Sequence, residues 1–241
     1  MRILLFILAF SLATTSQAVE GTWLIEAYGD STTVGSFNDN GVMKLDYVAA
    51  EPSQIQNVLR DDYGISAWVP NQGVGGTQAT QLLYGEDGLH KPWFETMRTS
   101  KAQIVLLNFG YNDKRLFLAP EDGNIKESPE RFKETLIALV VIAQNLGKIA
   151  VLQEPNPNCH SRPWEQQDIT GYVDAIRQAA KATDAPLVEQ YDALQLVPGW
   201  RKMLSDCVHP KGVLYHLKAV NTARVLAKII NDLGRQKIAT H

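Results

Sequence analysis

The 241-residue chain has only two cysteines, Cys159 and Cys207. That is too few for the multi-disulfide framework of a small secreted domain, or for a four-cysteine zinc site. Charge of one sign is also lacking. Lys and Arg number 23 against 26 Asp and Glu, for a net charge of −3. No basic cluster stands out, which argues against nucleic acid as a partner. No phosphate loop or dinucleotide fingerprint is present, because Gly73 to Gly76 lacks the required spacing. No internal repeat, low-complexity tract or linker divides the chain, so residues 19–241 read as one domain.

The N-terminus has a different character. Arg2 precedes an apolar stretch, Ile3 to Leu12, and Ser16-Gln17-Ala18 follows with small residues at the positions a signal peptidase reads. The stretch is much shorter than the roughly 20 residues of a spanning helix. Residues 1–18 are therefore expected to be a cleaved signal peptide, with the mature chain beginning near Val19. The protein is expected outside the cytoplasm, in the periplasm or the medium, with no stable membrane insertion after cleavage. An oxidising destination favours one disulfide between Cys159 and Cys207, with two unpaired buried thiols as the alternative.

Short apolar runs alternate with helical patterns along the rest of the chain. Trp23 to Ala27, Ile65 to Val69, Gln103 to Phe109, Lys148 to Leu152 and Pro186 to Val188 read as strands. Helices are predicted over Pro52–Tyr63, Thr77–Tyr84, Ser128–Leu146, Asp168–Thr183 and Lys211–Leu233. The third begins on a Ser-Pro-Glu cap and stops at Gly147. Its run from Leu136 to Ala143 is apolar all round, which predicts burial. Gly35 to Leu45, Leu116 to Ser128 and Glu154 to Trp164 read as loops. This alternation predicts an α/β fold, a three-layer α/β/α sandwich around a parallel sheet of about five strands.

Four short blocks carry candidate chemistry: Gly29-Asp30-Ser31, Asn71-Gln72-Gly73-Val74-Gly75-Gly76, Gly110-Tyr111-Asn112-Asp113 and Asp206-Cys207-Val208-His209. Ser31 follows a strand that ends at a glycine, where open α/β sheets place ligands. A serine hydroxyl needs an adjacent base. Of the five histidines, His209 has an acid, Asp206, placed within its own short motif to orient it.

In order and spacing these blocks resemble the SGNH (GDSL-type) hydrolases over essentially the whole chain after the leader. The resemblance implies a flavodoxin-like strand order 2-1-3-4-5 and a catalytic triad of Ser31, Asp206 and His209. It also implies oxyanion donors from Ser31, Gly73 and Asn112, with no cofactor and no metal. Gly75 and Gly76 read as plain turn glycines. Thr32 stands where the family usually has leucine, which is expected to change the floor of the pocket.

The implied activity is that of a secreted serine esterase on small-molecule or glycan-linked esters. Short acyl groups, acetyl above all, are the first expectation. A lysophospholipase or thioesterase, and a non-catalytic glycan-binding module of the same fold, are the alternatives. Asp30, Thr32, Phe109 and Tyr111 are candidate substrate contacts, and Trp164 and Trp200 candidate sugar platforms. Trp23 and Trp68 read as core. Cys159-His160 with Cys207 and His209 offers a zinc-like donor set, but at a spacing that does not suit one tetrahedral ion.

Overall fold

The computed structural model describes residues 21–159 and 169–239. The leader, His160, Trp164 and the expected helix start at Asp168 lie outside them. In chain order the strands are β1 (Trp23–Gly29), β2 (Ser36–Asp39), β3 (Val42–Leu45), β4 (Ala67–Trp68), β5 (Ile104–Asn108), β6 (Ile149–Gln153) and β7 (Leu187–Val188). The helices are α1 (Ser31–Val34), α2 (Glu51–Tyr63), α3 (Ala79–Tyr84), α4 (Trp93–Thr99), α5 (Tyr111–Leu118), α6 (Pro129–Asn145), α7 (Thr170–Thr183), α8 (Tyr191–Gln195) and α9 (Gly212–Ala239). A 3₁₀ turn, Trp200–Met203, precedes α9.

Five strands form one sheet in the order β4-β1-β5-β6-β7, all parallel. Numbered among themselves these strands run 2-1-3-4-5, the order the resemblance implies. Successive side chains of a strand point to opposite faces, and the two faces collect different helices. Val105, Leu107, Ala150 and Leu152 pack with Leu82, Trp93, Phe132, Leu136 and Ile176 of α3, α4, α6 and α7. Ile104, Leu106 and Val151 pack with Ile55, Leu59, Ala223 and Leu226 of α2 and α9. All five residues of β5 are buried, as a central strand covered on both faces requires. The sandwich thus has three layers with two cores.

Several expectations need correction. Gly35 to Leu45 is not a loop but an antiparallel hairpin of β2 and β3. Its two-residue turn, Asn40-Gly41, takes φ of 54° and 90°. Asn-Gly between two extended segments is the sequence signal for such a turn. Trp68 is 60% exposed, because β4 is a two-residue edge strand rather than a core one. Val141 is 39% exposed, so α6 turns part of its apolar run to solvent. Residues 116–118 belong to α5, and α4 went unassigned because its polar residues mask a short buried stripe, Trp93 and Met97.

Candidate active site

The sheet order reverses between β1 and β5, the place where α/β sheets open a crevice at their carboxyl ends. Gly29, the last residue of β1, pairs with Asn108, the last residue of β5. A Cβ on Gly29 would lie 2.5 Å from the Asn108 carbonyl oxygen and 2.9 Å from Thr33 Cβ. The glycine is thus needed for close approach between β1, β5 and α1. Asp30 caps α1, its Oδ1 accepting from Thr32 N–H at 2.8 Å. Ser31 is the first residue of that helix.

His209 reaches Ser31 from the far end of the chain. Its Nε2 lies 2.9 Å from Ser31 Oγ, and its Nδ1 lies 2.9 Å from Asp206 Oδ2. The carboxylate fixes the proton on Nδ1 and leaves a lone pair on Nε2 facing the hydroxyl. Asp206 also accepts from the backbone N–H groups of Val208 and His209, at 3.2 and 2.9 Å. Burial alone would push its carboxyl up, but the His209 ring and these backbone donors hold it down at about 2. The loop is closed at its base by the Leu204–Pro210 bridge, and Ser205 Oγ donates to the His209 carbonyl at 2.9 Å.

Cys207 sits in this loop with φ of 77°, a conformation uncommon outside glycine. It is bonded to Cys159, just beyond β6, with Cα atoms 4.7 Å apart. The bridge takes both sulfurs of the zinc-like set. It ties the Asp206–His209 loop to the sheet, together with Cys159 N–H donating to the Cys207 carbonyl at 3.0 Å. Closing a loop of 48 residues is worth about 4 kcal/mol by chain entropy. Reduction is expected to lower activity at temperatures where far-UV circular dichroism still reports a folded domain. Activity unchanged in the reduced protein, with both thiols titratable, would deny the bridge a role in the loop.

The second block runs beside β1. Gln72 N–H donates to the Ala27 carbonyl and Val74 N–H to that of Gly29, at 2.8 and 2.9 Å. Gly73 does not stand as expected. Its N–H donates to Asn71 Oδ1 at 3.0 Å, and a Cβ there would lie 2.6 Å from Val34 N. Gly73 is glycine because α1 packs on it. The N–H groups of Gly75 and Gly76 have no partner among the described residues. A Cβ on Gly75 would stand 3.8 Å from Ser31 Cβ. Asn71, for which the sequence implied no role, pins this loop to α1 by donating to the Thr33 carbonyl at 3.0 Å.

Asn112 lies in the first turn of α5, where β5 delivers it. One of its two amide hydrogens goes to the Thr77 carbonyl at 3.1 Å. Asp113 anchors the turn from within: it is fully buried and accepts from Ala79 N–H and Gly110 N–H at 2.8 and 2.9 Å. Burial, then the neighbouring buried Glu127, push its carboxyl well above the usual range. Asn112→Ala is expected to lower kcat by roughly 10²–10³, the usual loss of one oxyanion donor. A change confined to KM would make Asn112 a binding group only.

Four expected substrate contacts are structural. Asp30 and Thr32 are 1% and 0% exposed and hydrogen-bond to each other. Phe109 is buried with Phe132, and Tyr111 OH donates to the Asn156 carbonyl. Trp200 is 6% exposed, under the Arg201 guanidinium, and presents no open face to a sugar.

The family profile described as GDSL-like Lipase/Acylhydrolase matches residues 27–217. A comparison with curated proteins finds no match. Among solved structures, a lipase/acylhydrolase from Enterococcus faecalis is 20% identical, with 86% of this chain and 96% of that one covered at a TM-score of 0.66. An acetylxylan esterase from Geobacillus stearothermophilus is 18% identical, with 87% and 95% covered at 0.60. TesA is 17% identical, with 84% and 97% covered at 0.61. The likeness to these structures is one of fold, and the profile carries the family. The chain belongs to the GDSL-like lipase/acylhydrolase family, and it is a carboxylic ester hydrolase.

Proposed function

We propose that Ser31, His209 and Asp206 are the catalytic triad of an exported esterase that removes short acyl groups, acetyl above all, from carbohydrate hydroxyls. The observation that carries the triad is the unbroken line from the Asp206 carboxylate through both imidazole nitrogens to Ser31 Oγ. Ser31 Oγ attacks the ester carbonyl carbon as its proton passes to His209 Nε2. Oxyanion charge falls to the Ser31 N–H, the second Asn112 amide hydrogen and the N–H groups of Gly75 and Gly76. The alkoxide leaves with the proton from His209, and water releases the acyl group by the same route. No cofactor enters the reaction.

Acetyl-carbohydrate specificity is supported by the likeness to the acetylxylan esterase. A cleft of about 340 Å³ between the hairpin and the start of α9 offers Asn38, Asp39, Asp46, Ser205 and Lys211 to hydroxyl groups. Export is supported by the disulfide and by the leader. Among the described residues no helix is long and apolar enough to cross a membrane.

A second reading has its own observation. Val42, Met43, Leu45 and Tyr47 stand exposed on and beside the hairpin that follows the nucleophile helix. Such a surface suits the longer acyl chains of lysophospholipids or thioesters. Rates on p-nitrophenyl esters from acetate to laurate separate the two. A fall with chain length is expected, and a maximum at long chains would favour the second. A fluorophosphonate probe should label Ser31, and labelling elsewhere would dismiss the triad.

A further inference from the structure

Asn156 follows the carboxyl end of β6 and is 0% exposed, and the hydrolytic steps do not use it. Its amide nitrogen donates to the Val208 carbonyl at 3.0 Å and to the Pro157 carbonyl at 3.1 Å. A carbonyl can only accept, so the nitrogen and not the oxygen of the amide faces both. Tyr111 OH is a more distant third neighbour of that nitrogen, at 3.4 Å. The amide oxygen, Oδ1, is buried with no hydrogen-bond partner among the described residues. All the described hydrogen bonds of this side chain are therefore donated. The backbone carbonyl of Asn156 accepts from Tyr111 OH.

The Val208 carbonyl belongs to the peptide unit that leads into His209. The N–H of the same unit donates to Asp206 Oδ1 at 2.9 Å. A peptide unit is planar, so partners on both its edges fix its rotation. Beyond the ring, the His209 carbonyl accepts from Ser205 N–H and Ser205 Oγ at 2.8 and 2.9 Å. The imidazole is thus aimed from a backbone held on both sides. Ser205 and Asp206 lie within the loop itself, whereas Asn156 and the disulfide reach it from outside. The disulfide meets the loop at Cys207, and Asn156 meets it one residue nearer the ring. Asn156 also touches the opposite half of the site. Tyr111 is the first residue of α5 and directly precedes Asn112.

We propose that Asn156 is a positioning residue: it holds the peptide before His209 in place against the Asn112 turn, so that the imidazole meets Ser31 Oγ and then the leaving oxygen. The proposal rests on Ser31 and His209 acting as nucleophile and base. Without the amide, the Val208 carbonyl loses its donor, the peptide turns about the bonds beside it, and the ring swings with it. The imidazole serves two oxygens in succession. It takes the proton from Ser31 Oγ, 2.9 Å away, and gives it to the departing alkoxide. A nitrophenolate departs without that proton, but an alkoxide does not. Lost aim therefore costs more on an alkyl ester than on an aryl ester.

The test compares wild type with Asn156→Leu, Asn156→Ser, Val140→Ala and Ser31→Ala on p-nitrophenyl acetate and ethyl acetate. Values of kcat/KM, which report acylation, are read beside a thermal melt. Leucine matches asparagine in size and donates nothing. Serine leaves room for a water that satisfies the Val208 carbonyl without holding it, and it carries the test alone if Asn156→Leu does not fold. In the folded Asn156 variants kcat/KM should fall roughly 10-fold on the aryl ester and roughly 10²-fold on the alkyl ester. Val140 is a fully buried core residue of α6. Val140→Ala should lower the melting temperature and keep the wild-type ratio between the two esters. The proposal is overturned if the folded Asn156 variants also keep that ratio, whatever their melting temperature. Turnover of both esters retained by Ser31→Ala would instead overturn the nucleophile reading, and the proposal with it.

Discussion

Ser31→Ala is expected to abolish turnover, by about 10⁶ in kcat if the site behaves as a Ser-His-Asp unit, and to leave the fold standing. The two halves of this expectation have separate causes. The hydroxyl is the only atom lost, and its one described bond is to His209 Nε2 at 2.9 Å. His209 is 16% exposed at its side chain, so water can take up the vacated hydrogen bond. The turn itself is held by Asp30, by the Gly29–Asn108 pairing and by Asn71, none of which uses Oγ. Initial rates on p-nitrophenyl acetate and a thermal melt measure both halves. Residual turnover within tenfold of wild type would remove Ser31 from the mechanism, while a collapsed melt would mean that Oγ supports the fold.

Asp206→Asn should cost about 10⁴ in kcat, the penalty for presenting the wrong imidazole tautomer to the nucleophile. The carboxylate accepts on both oxygens from Nδ1, at 3.0 and 2.9 Å. An amide in its place can offer N–H to Nδ1, which drives the ring proton to Nε2 and removes the lone pair Ser31 needs. Asp206 also sets a pH window for stability. Its folded-state value of about 2 lies below the ordinary 3.8. A carboxyl held low when folded adds stability above its unfolded value, and that stability is lost as pH falls through the folded one. The Asp206 contribution to stability is therefore expected to be complete above about pH 4 and to fade towards pH 2. Melts of wild type and Asp206→Asn should converge over that interval, and a constant gap would mean that the pair contributes nothing to the fold.

Much of the fold was legible because its signals are local. The Ser128-Pro129 cap, Gly147 and the uninterrupted apolar run of β5 each declare an element within a few residues. Ser31, Asp206 and His209 were legible for a related reason, since each lies in a short block with its orienting partner beside it. What escaped depends on contacts distant in sequence. Gly73 reads as a free donor in the sequence, but Asn71 Oδ1 takes its N–H and the backbone of Val34 lies where a side chain would stand. Phe109 and Tyr111 closely precede Asn112 in sequence but are buried in the core. Lys218 was missed although a signal existed. Leu214, Lys218 and Thr222 follow at four-residue spacing on one buried stripe, all 0% exposed. A lysine on an apolar helical stripe needs a buried counter-charge, but that partner, Glu51 with Oε2 3.0 Å from Lys218 Nζ, lies far away in sequence on α2.

The distribution of the site along the chain has a consequence in time. Ser31 and His209 are 178 residues apart, so ribosomal synthesis makes the proposed nucleophile early and its proposed base late. A nascent chain that ends before Asp206 carries a serine without a proton acceptor and without the helix that helps to cover one face of the sheet. With the proposed triad, no fragment ending before His209 can hydrolyse an ester, whatever part of the sheet it has formed. Catalysis would thus report that synthesis has passed His209 and that its loop has met Ser31. Followed during refolding or translation, turnover marks the arrival of the whole molecule, where a spectroscopic probe of the sheet would mark only its framework.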